Sequence, residues 1–370
     1  MPKIYIKTFG CQMNDRDSEA LAGLFLEKGY ILVKSPQEAD VILVNTCSVR
    51  AHAENRALSL LGTFKKFNHK KIIGLIGCMA KNLGREVFKK MPHIDLVCSP
   101  TNFDRIPDFI ERIKKEKTRI LDLEERKRKD EFFKAEFREK KDHAQVVISF
   151  GCSNWCSYCV VPFVRGPLCL REPEKIIEEV RKNVEMGIRK ITLLGQNVND
   201  YFYKEGERTI NFVDLLKMVE EVEGVEEIDF ITSHPKNTSK ELFYLMAQSR
   251  KIKKHLHLPF QSGSNRILEL MKRGYTKEEY LKLAEDYKKI VKGTLSTDVI
   301  AGFPTETEDD FDQTKEVLEK VKFKYAYIFK YSVRPSTKAQ KLEDDVPQDI
   351  KEKRHRILLS LQKEISLNLR

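Results

Sequence analysis

Val146-Val147-Ile148-Ser149-Phe150-Gly151-Cys152-Ser153-Asn154-Trp155-Cys156-Ser157-Tyr158-Cys159 joins an apolar run to three cysteines that fall within eight residues. The run reads as a buried strand, which puts the cysteines in the loop at its carboxyl end. Cysteine thiolates hold iron–sulfur clusters, so three of them can ligate three irons of a cubane and leave the fourth iron without a protein ligand. That open iron is where chemistry becomes available. A structural zinc site would be closed by four Cys or His ligands in two such pairs, and no second cysteine pair at this spacing follows.

Beyond this loop the second half alternates strand and helix. Six strands are predicted, over Gln145–Phe150, Ile191–Leu194, Glu226–Ile231, His255–Leu258, Thr294–Ile300 and Tyr325–Lys330. The stretch Glu174–Met186 between them carries Ile176, Ile177, Val180 and Val184 on one helical face, with Gly187 as a stop signal. Six βα units are too few for a closed eight-stranded barrel. The expectation is an open, partial (β/α)6 barrel with its functional residues at the carboxyl ends of the strands. Those ends read Leu194-Gly195-Gln196-Asn197-Val198-Asn199, Thr232-Ser233-His234-Pro235, Leu258-Pro259-Phe260-Gln261-Ser262-Gly263-Ser264 and Asp298-Val299-Ile300-Ala301-Gly302-Phe303-Pro304. Small, amide and hydroxyl residues in these positions suit hydrogen bonding to a nucleoside and an amino acid moiety. The plainer alternative is loop and cap chemistry, which fits Ser264 as a helix start and Thr276 with Glu279 as a capping box. Turns explain the glycines but not the repeated Gln and Asn.

The first half is α/β, with strands at Lys3–Thr8, Val41–Val44 and Ile72–Ile76 and helices near Asp15–Lys28, His52–Phe67 and Asn82–Met91. This is the pattern of a doubly wound, Rossmann-like parallel sheet. Cys11, Cys47 and Cys78 each stand just past one of these strands, and in a parallel sheet those ends share the edge where such folds bind ligands. The alternative is three buried cysteines acting as small hydrophobes. Cys98, at the end of the run Ile94–Val97, reads as core, and Cys169 as a neighbour of the first cysteine loop without a ligand role. The division expected is residues 1–110, a charged connector over 111–143 with some exposed helix or edge strand, and residues 144–370. The connector carries Glu124-Glu125-Arg126-Lys127-Arg128-Lys129 and has no sustained apolar face.

The 370 residues exceed what one core usually organises. Eight cysteines without a secretory leader point to a reducing, cytoplasmic setting and to metal or catalytic thiols rather than disulfides. No segment is long and apolar enough to span a bilayer, so no membrane partner is expected. The net charge of +11 favours a polyanionic partner.

With these residues in place the chain resembles the radical S-adenosylmethionine (SAM) methylthiotransferases, and most closely the MiaB type that modifies transfer RNA. The matching segments are Lys7-Thr8-Phe9-Gly10-Cys11-Gln12-Met13-Asn14, Asn45-Thr46-Cys47-Ser48-Val49-Arg50, Gly77-Cys78, the Cys152 loop with Val161-Pro162-Phe163-Val164-Arg165-Gly166, Leu194-Gly195-Gln196-Asn197-Val198-Asn199, Ser233-His234-Pro235-Lys236, and His255 through Ser264. The resemblance implies two 4Fe-4S clusters. One, on Cys152, Cys156 and Cys159, binds and cleaves SAM; the other, on Cys11, Cys47 and Cys78, handles sulfur. It also implies a SAM pocket with Tyr158 beside the nucleoside and Gly195, Gln196, Ser233 and Gln261 around it. Two departures stand out. Pro167-Leu168-Cys169-Leu170 replaces a segment that is usually polar, and the chain stops near Ser366, about where the family's C-terminal RNA-binding TRAM domain would begin.

The implied reaction replaces the hydrogen on carbon 2 of N6-dimethylallyladenosine at position 37 of tRNA with a methylthio group. The implied partners are the tRNA anticodon stem-loop, an electron donor such as a flavodoxin or ferredoxin, and a sulfur source. Sister activities on threonylcarbamoyl-adenosine in tRNA or on a ribosomal-protein aspartate are the nearest alternatives. A two-cluster electron carrier or RNA-binding scaffold is the alternative outside enzymes.

Overall fold

The computed structural model of the chain describes residues 1–49, 51–67, 70–126, 130–133 and 137–369. Arg50, which ends one of the quoted motifs, and Lys127, Arg128 and Lys129 of the charged run lie outside the described residues.

Six strands build the first half: β1 (Lys3–Phe9), β2 (Ile31–Leu32), β3 (Val41–Thr46), β4 (Ile72–Ile76), β5 (Leu96–Cys98) and β6 (Ile120–Asp122). They form one parallel sheet in the order β2-β1-β3-β4-β5-β6. All six residues of β3 are buried, as expected of a central strand covered by helices on both faces. One face packs Ile4, Leu21, Phe25, Leu43 and Leu96 together. The other packs Ile42, Val44, Ala57, Leu61 and Leu75. Truncating a fully buried side chain such as Leu43 to Ala would cost about 2–5 kcal/mol. The direction of winding reverses between β1 and β3, which opens a crevice past their carboxyl ends. The stretch read as a connector supplies the edge strand β6, whose short length left no period to read.

The second half opens with β7 (His143–Val147), β8 (Ser149–Phe150) and β9 (Cys169–Leu170). The single strand expected over Gln145–Phe150 is interrupted at Ile148, because Phe150 turns away to pair antiparallel with Cys169. Then come β10 (Lys190–Leu194), the hairpin of β11 (Phe202–Glu205) and β12 (Arg208–Asn211), β13 (Glu227–Ile231), β14 (His255–His257), β15 (Thr294–Ala301) and β16 (Tyr325–Lys330). Strands β7, β10 and β13 pair in parallel, as do β14, β15 and β16. A parallel bridge between Ile228 and Ile252 joins the two sets. Among the described residues β7 and β16 do not pair, so the six-stranded barrel stays open. The expected capping box at Thr276 and Glu279 starts the helix Lys277–Val291, and Ser264 caps the helix Asn265–Leu270.

Candidate active site

Cys11 follows β1, Cys47 follows β3 and Cys78 begins the helix Cys78–Leu83 after β4. The first two flank the crevice where the sheet changes direction. Gly10 makes their approach feasible: with φ at +141°, a Cβ there would sit 2.4 Å from Cys47 Cβ. Cys11 is exposed, whereas Cys47 and Cys78 are buried. A hydrogen bond from Cys47 holds the Cys11 thiol down to about 6, with help from the charge of Arg165. The same bond pushes Cys47 well above the ordinary thiol range, and the charges of Cys11 and Cys78 add to it. Cys47 senses both Cys11 and Cys78, and Cys78 senses Cys11, so the structure brings this trio together. Arg165 also reaches it: Nε donates to Cys78 Sγ at 3.2 Å, and Nη2 contacts Asn14 Oδ1 at 3.3 Å and Asp17 Oδ2 at 3.0 Å.

The second trio lies on the loop past β8. Gly151 opens it at φ +64°, where a Cβ would meet the carbonyl oxygen of Pro167 at 2.2 Å. Burial pushes the Cys159 thiol up to about 12 and raises Cys152, and the neighbouring Cys156 raises both. Arg273, which is buried, donates from Nη1 to Cys156 Sγ and to Tyr158 Oη, each at 3.4 Å, and from Nη2 to the Pro259 carbonyl at 2.9 Å.

All eight cysteines are free. Among the described residues no three His, Cys, Asp or Glu side chains close on a single ion. Thiolates in threes are the donor set of an iron–sulfur cubane, whose separate irons each take one ligand.

Strand-end residues of this half carry buried polar atoms with no protein partner among the described residues: Ser149 Oγ, Gln196 Oε1, Asn197 Oδ1, Ser233 Oγ and His234 Nε2. Buried polar groups are nearly always satisfied, so such a concentration signals a polar ligand. His234 Nδ1 accepts the Lys236 backbone N–H at 3.2 Å. Burial, reinforced by Arg273 and Lys236, pushes its pKa down to about 2. The ring is therefore neutral and its proton sits on Nε2, a donor awaiting an acceptor. Gly195 lets the chain pass close to Ser149 Oγ, which an added Cβ would meet at 2.5 Å. Gln261, at φ +69°, is fixed by its backbone N–H to the Asp298 carbonyl at 2.9 Å. Tyr158 is half-buried and packs beside Ile267, Met271 and Phe303.

Residues 3–99 match the Uncharacterized protein family UPF0004, and residues 146–318 match the Radical SAM superfamily. The chain is 45% identical over 370 residues to the tRNA-2-methylthio-N(6)-dimethylallyladenosine synthase of Aquifex aeolicus (strain VF5), covering 98% of this chain and 84% of that one. It is 41% identical over 379 residues to the protein of the same name from Syntrophotalea carbinolica, covering 99% and 85%. The chain belongs to the tRNA-2-methylthio-N(6)-dimethylallyladenosine synthase family. Among solved structures, the radical SAM methyltransferase TsrM from Kitasatospora setae superposes with a TM-score of 0.64 at 11% identity, over 92% of this chain and 77% of that one. The cobalamin-dependent SAM radical enzyme OxsB gives 0.58 at 12% identity, over 98% of this chain and 56% of that one. At such identities the likeness speaks to fold alone.

In this methylthiotransferase the unusual Pro167–Leu170 segment has a structural part. The Leu168 N–H donates to Ser153 Oγ at 3.1 Å, and the pairing of β8 with β9 ties the segment beneath the cysteine loop. Cys169 lines a cavity of about 320 Å³ with Phe150, Arg165 and Gly166 and joins neither trio. Cys98 is fully buried in the first-half core. Arg273 was not singled out in the sequence. Its only mark there is an unpaired position between a helix end and Gly274, which does not separate it from any surface arginine. No helix among the described residues is long and apolar enough to cross a membrane.

Proposed function

We propose that this chain installs a methylthio group on carbon 2 of N6-dimethylallyladenosine at position 37 of tRNA. The observation that carries the reading is a chain alike along nearly its whole length to synthases of that product, at 41–45% identity, with a cysteine trio at the strand ends of each half. Cys152, Cys156 and Cys159 would hold one 4Fe-4S cluster, and Cys11, Cys47 and Cys78 the other. SAM would lie against Tyr158, Gly195, Gln196, Ser233 and Gln261. When bound, these groups supply the sulfur, the methyl group and the radical chemistry that an unactivated C–H bond requires.

The protein's own share is binding, orientation and exclusion of water. Ser149 Oγ, Ser233 Oγ and the neutral His234 Nε2–H stand ready to satisfy polar atoms of the nucleoside and amino acid moieties. The ring of Tyr158 offers a flat apolar surface whose hydroxyl is held by Arg273. Lysines and arginines neutralise tRNA phosphates, and a base within the anticodon stem-loop is splayed out to reach the barrel. The reading includes a cytoplasmic setting, a flavodoxin or ferredoxin as electron donor, a separate sulfur source, and the division into residues 1–110, 111–143 and 144–370.

Mass spectrometry of nucleosides from a strain lacking this protein tests the assignment. Loss of the methylthio-dimethylallyl nucleoside with accumulation of its unthiolated precursor is expected. Its persistence, in a strain with no second methylthiotransferase, would remove the assignment. Loss of the methylthiolated threonylcarbamoyl nucleoside instead would transfer it to the sister activity.

A further inference from the structure

Arg165 belongs to the second half of the chain, yet its guanidinium is directed into the first. It ends the short helix Val161–Arg165, which begins two residues after Cys159. Val160 and Val164 from this segment pack with Cys78 in a small buried cluster of their own. The Nε–H donates to Cys78 Sγ at 3.2 Å, while Nη2 is anchored on Asp17 Oδ2 at 3.0 Å and Asn14 Oδ1 at 3.3 Å. Only about 6% of Arg165 is exposed. The fork is thus gripped at one end so that its other donor faces a sulfur.

We propose that Arg165 is a positioning residue for the metal centre of Cys11, Cys47 and Cys78, donating to the Cys78 sulfur and completing that centre from across the domain boundary. The proposal rests on the assignment of a cluster to this trio. Hydrogen bonds to cluster sulfurs and local net charge set the reduction potential of an iron–sulfur centre, and groups behind a ligand tune both affinity and potential. A donor to Cys78 stabilises the electron-rich reduced state, so it raises the potential. The second trio draws its arginine, Arg273, from its own domain. The first draws its arginine from the other domain, and the connecting helix starts at the second trio, so docking of the halves and completion of this centre are one event.

The test uses the full chain with Cys152, Cys156 and Cys159 replaced by Ala, so that reconstituted iron reports the first trio alone. Arg165→Met removes the donor and the charge, Arg165→Lys keeps the charge and a donor, and Asp17→Asn/Arg165→Met removes the buried pair together and leaves no uncompensated carboxylate. Iron and sulfide per chain, the electron paramagnetic resonance spectrum and the midpoint potential are measured for each. A more negative potential with altered spectrum in both Met variants, or a loss of iron in both that Arg165→Lys avoids, supports the proposal. Normal iron loading with unchanged potential and spectrum in either the single or the double Met variant overturns it. If the parent with Arg165 intact binds no cluster at all, the assignment of the trio has failed rather than the role of Arg165.

Discussion

Arg16 Nη2, on the first helix of the chain, lies 3.1 Å from Glu179 Oε1 in the second domain. Neither residue is appreciably exposed, and Glu179 is also contacted by Arg171 at 2.6 Å and Arg138 at 3.0 Å. Arg16 and Arg171 both lie over the Phe133 ring, each 5.2 Å from its centroid. One carboxylate therefore collects three guanidiniums at the junction of the domains. Burial alone would raise the Glu179 pKa, but Arg171, Arg16 and Arg138 together hold it below the usual carboxylate range.

Replacing Glu179 by Gln leaves Arg171 facing a neutral amide, while Arg16 and Arg138 keep the carboxylate of Glu19, at 3.2 and 3.5 Å. A buried ion pair broken on one side typically costs about 3–5 kcal/mol, so Glu179→Gln is expected to lose stability on that scale in urea unfolding. A loss of under about 1 kcal/mol, the scale of an exposed pair, would show that solvent reaches the cluster. The pH dependence follows from the lowered pKa. The stabilisation is fully present above the ordinary carboxylate value and fades as the pH falls through the depressed one. The melting temperature of the unsubstituted protein should therefore fall more steeply in acid than that of Glu179→Gln.

Gly151→Ala adds a methyl group 2.2 Å from the Pro167 carbonyl oxygen at a positive φ. Strain of about 1–3 kcal/mol in backbone terms must be relieved by shifting the cysteine loop. Reconstituted iron on the second trio should fall while the first trio still loads. Gly187 also has a positive φ, with nothing within 4 Å of an added Cβ, so Gly187→Ala serves as the comparison and should load iron normally. Equal loading in the two variants would refute the steric argument.

Arg273 fixes Tyr158 and contacts Cys156 from behind. Groups that support a metal ligand in this way are commonly worth about 10–100-fold in affinity or activity. Arg273→Met should slow release of 5′-deoxyadenosine from SAM by a factor in that range, with Arg273→Lys intermediate. A rate matching the parent would mean that the arginine only fills space.

The net charge of +11 predicts a strong electrolyte effect on tRNA binding. Each phosphate neutralised releases counterions, so the logarithm of affinity should fall linearly with the logarithm of salt concentration, with a slope of about −0.7 to −0.9 per contact. Fluorescence anisotropy with an anticodon stem-loop would measure it. A slope near zero would place the excess charge away from the RNA.

Much of the site was legible without coordinates. Cys11, Cys47 and Cys78 stood at strand ends because buried parallel strands announce themselves as unbroken apolar runs such as Val41–Val44. Most of the barrel strands were found for the same reason, while the three-residue β14 was placed by the position of its segment between helical stretches. Strands β2 and β9 escaped because two residues carry no period, and the hairpin β11–β12 because its residues are largely exposed.

The amino-acid order by itself determined which thiols stand past which strands and what kind of sheet carries them, since hydrophobic periodicity and cysteine spacing are properties of neighbouring residues. Only the folded chain decided that Arg165 reaches Cys78, that Arg273 backs Cys156 and that Glu179 gathers Arg16, Arg138 and Arg171. All but Arg171 with Glu179 join residues far apart in sequence, and a long flexible cation shows no local preference for its partner. Arg165 with Cys78 and Arg16 with Glu179 meet only because the two halves pack together, and Arg273 meets Cys156 only because the barrel strands bring their ends together.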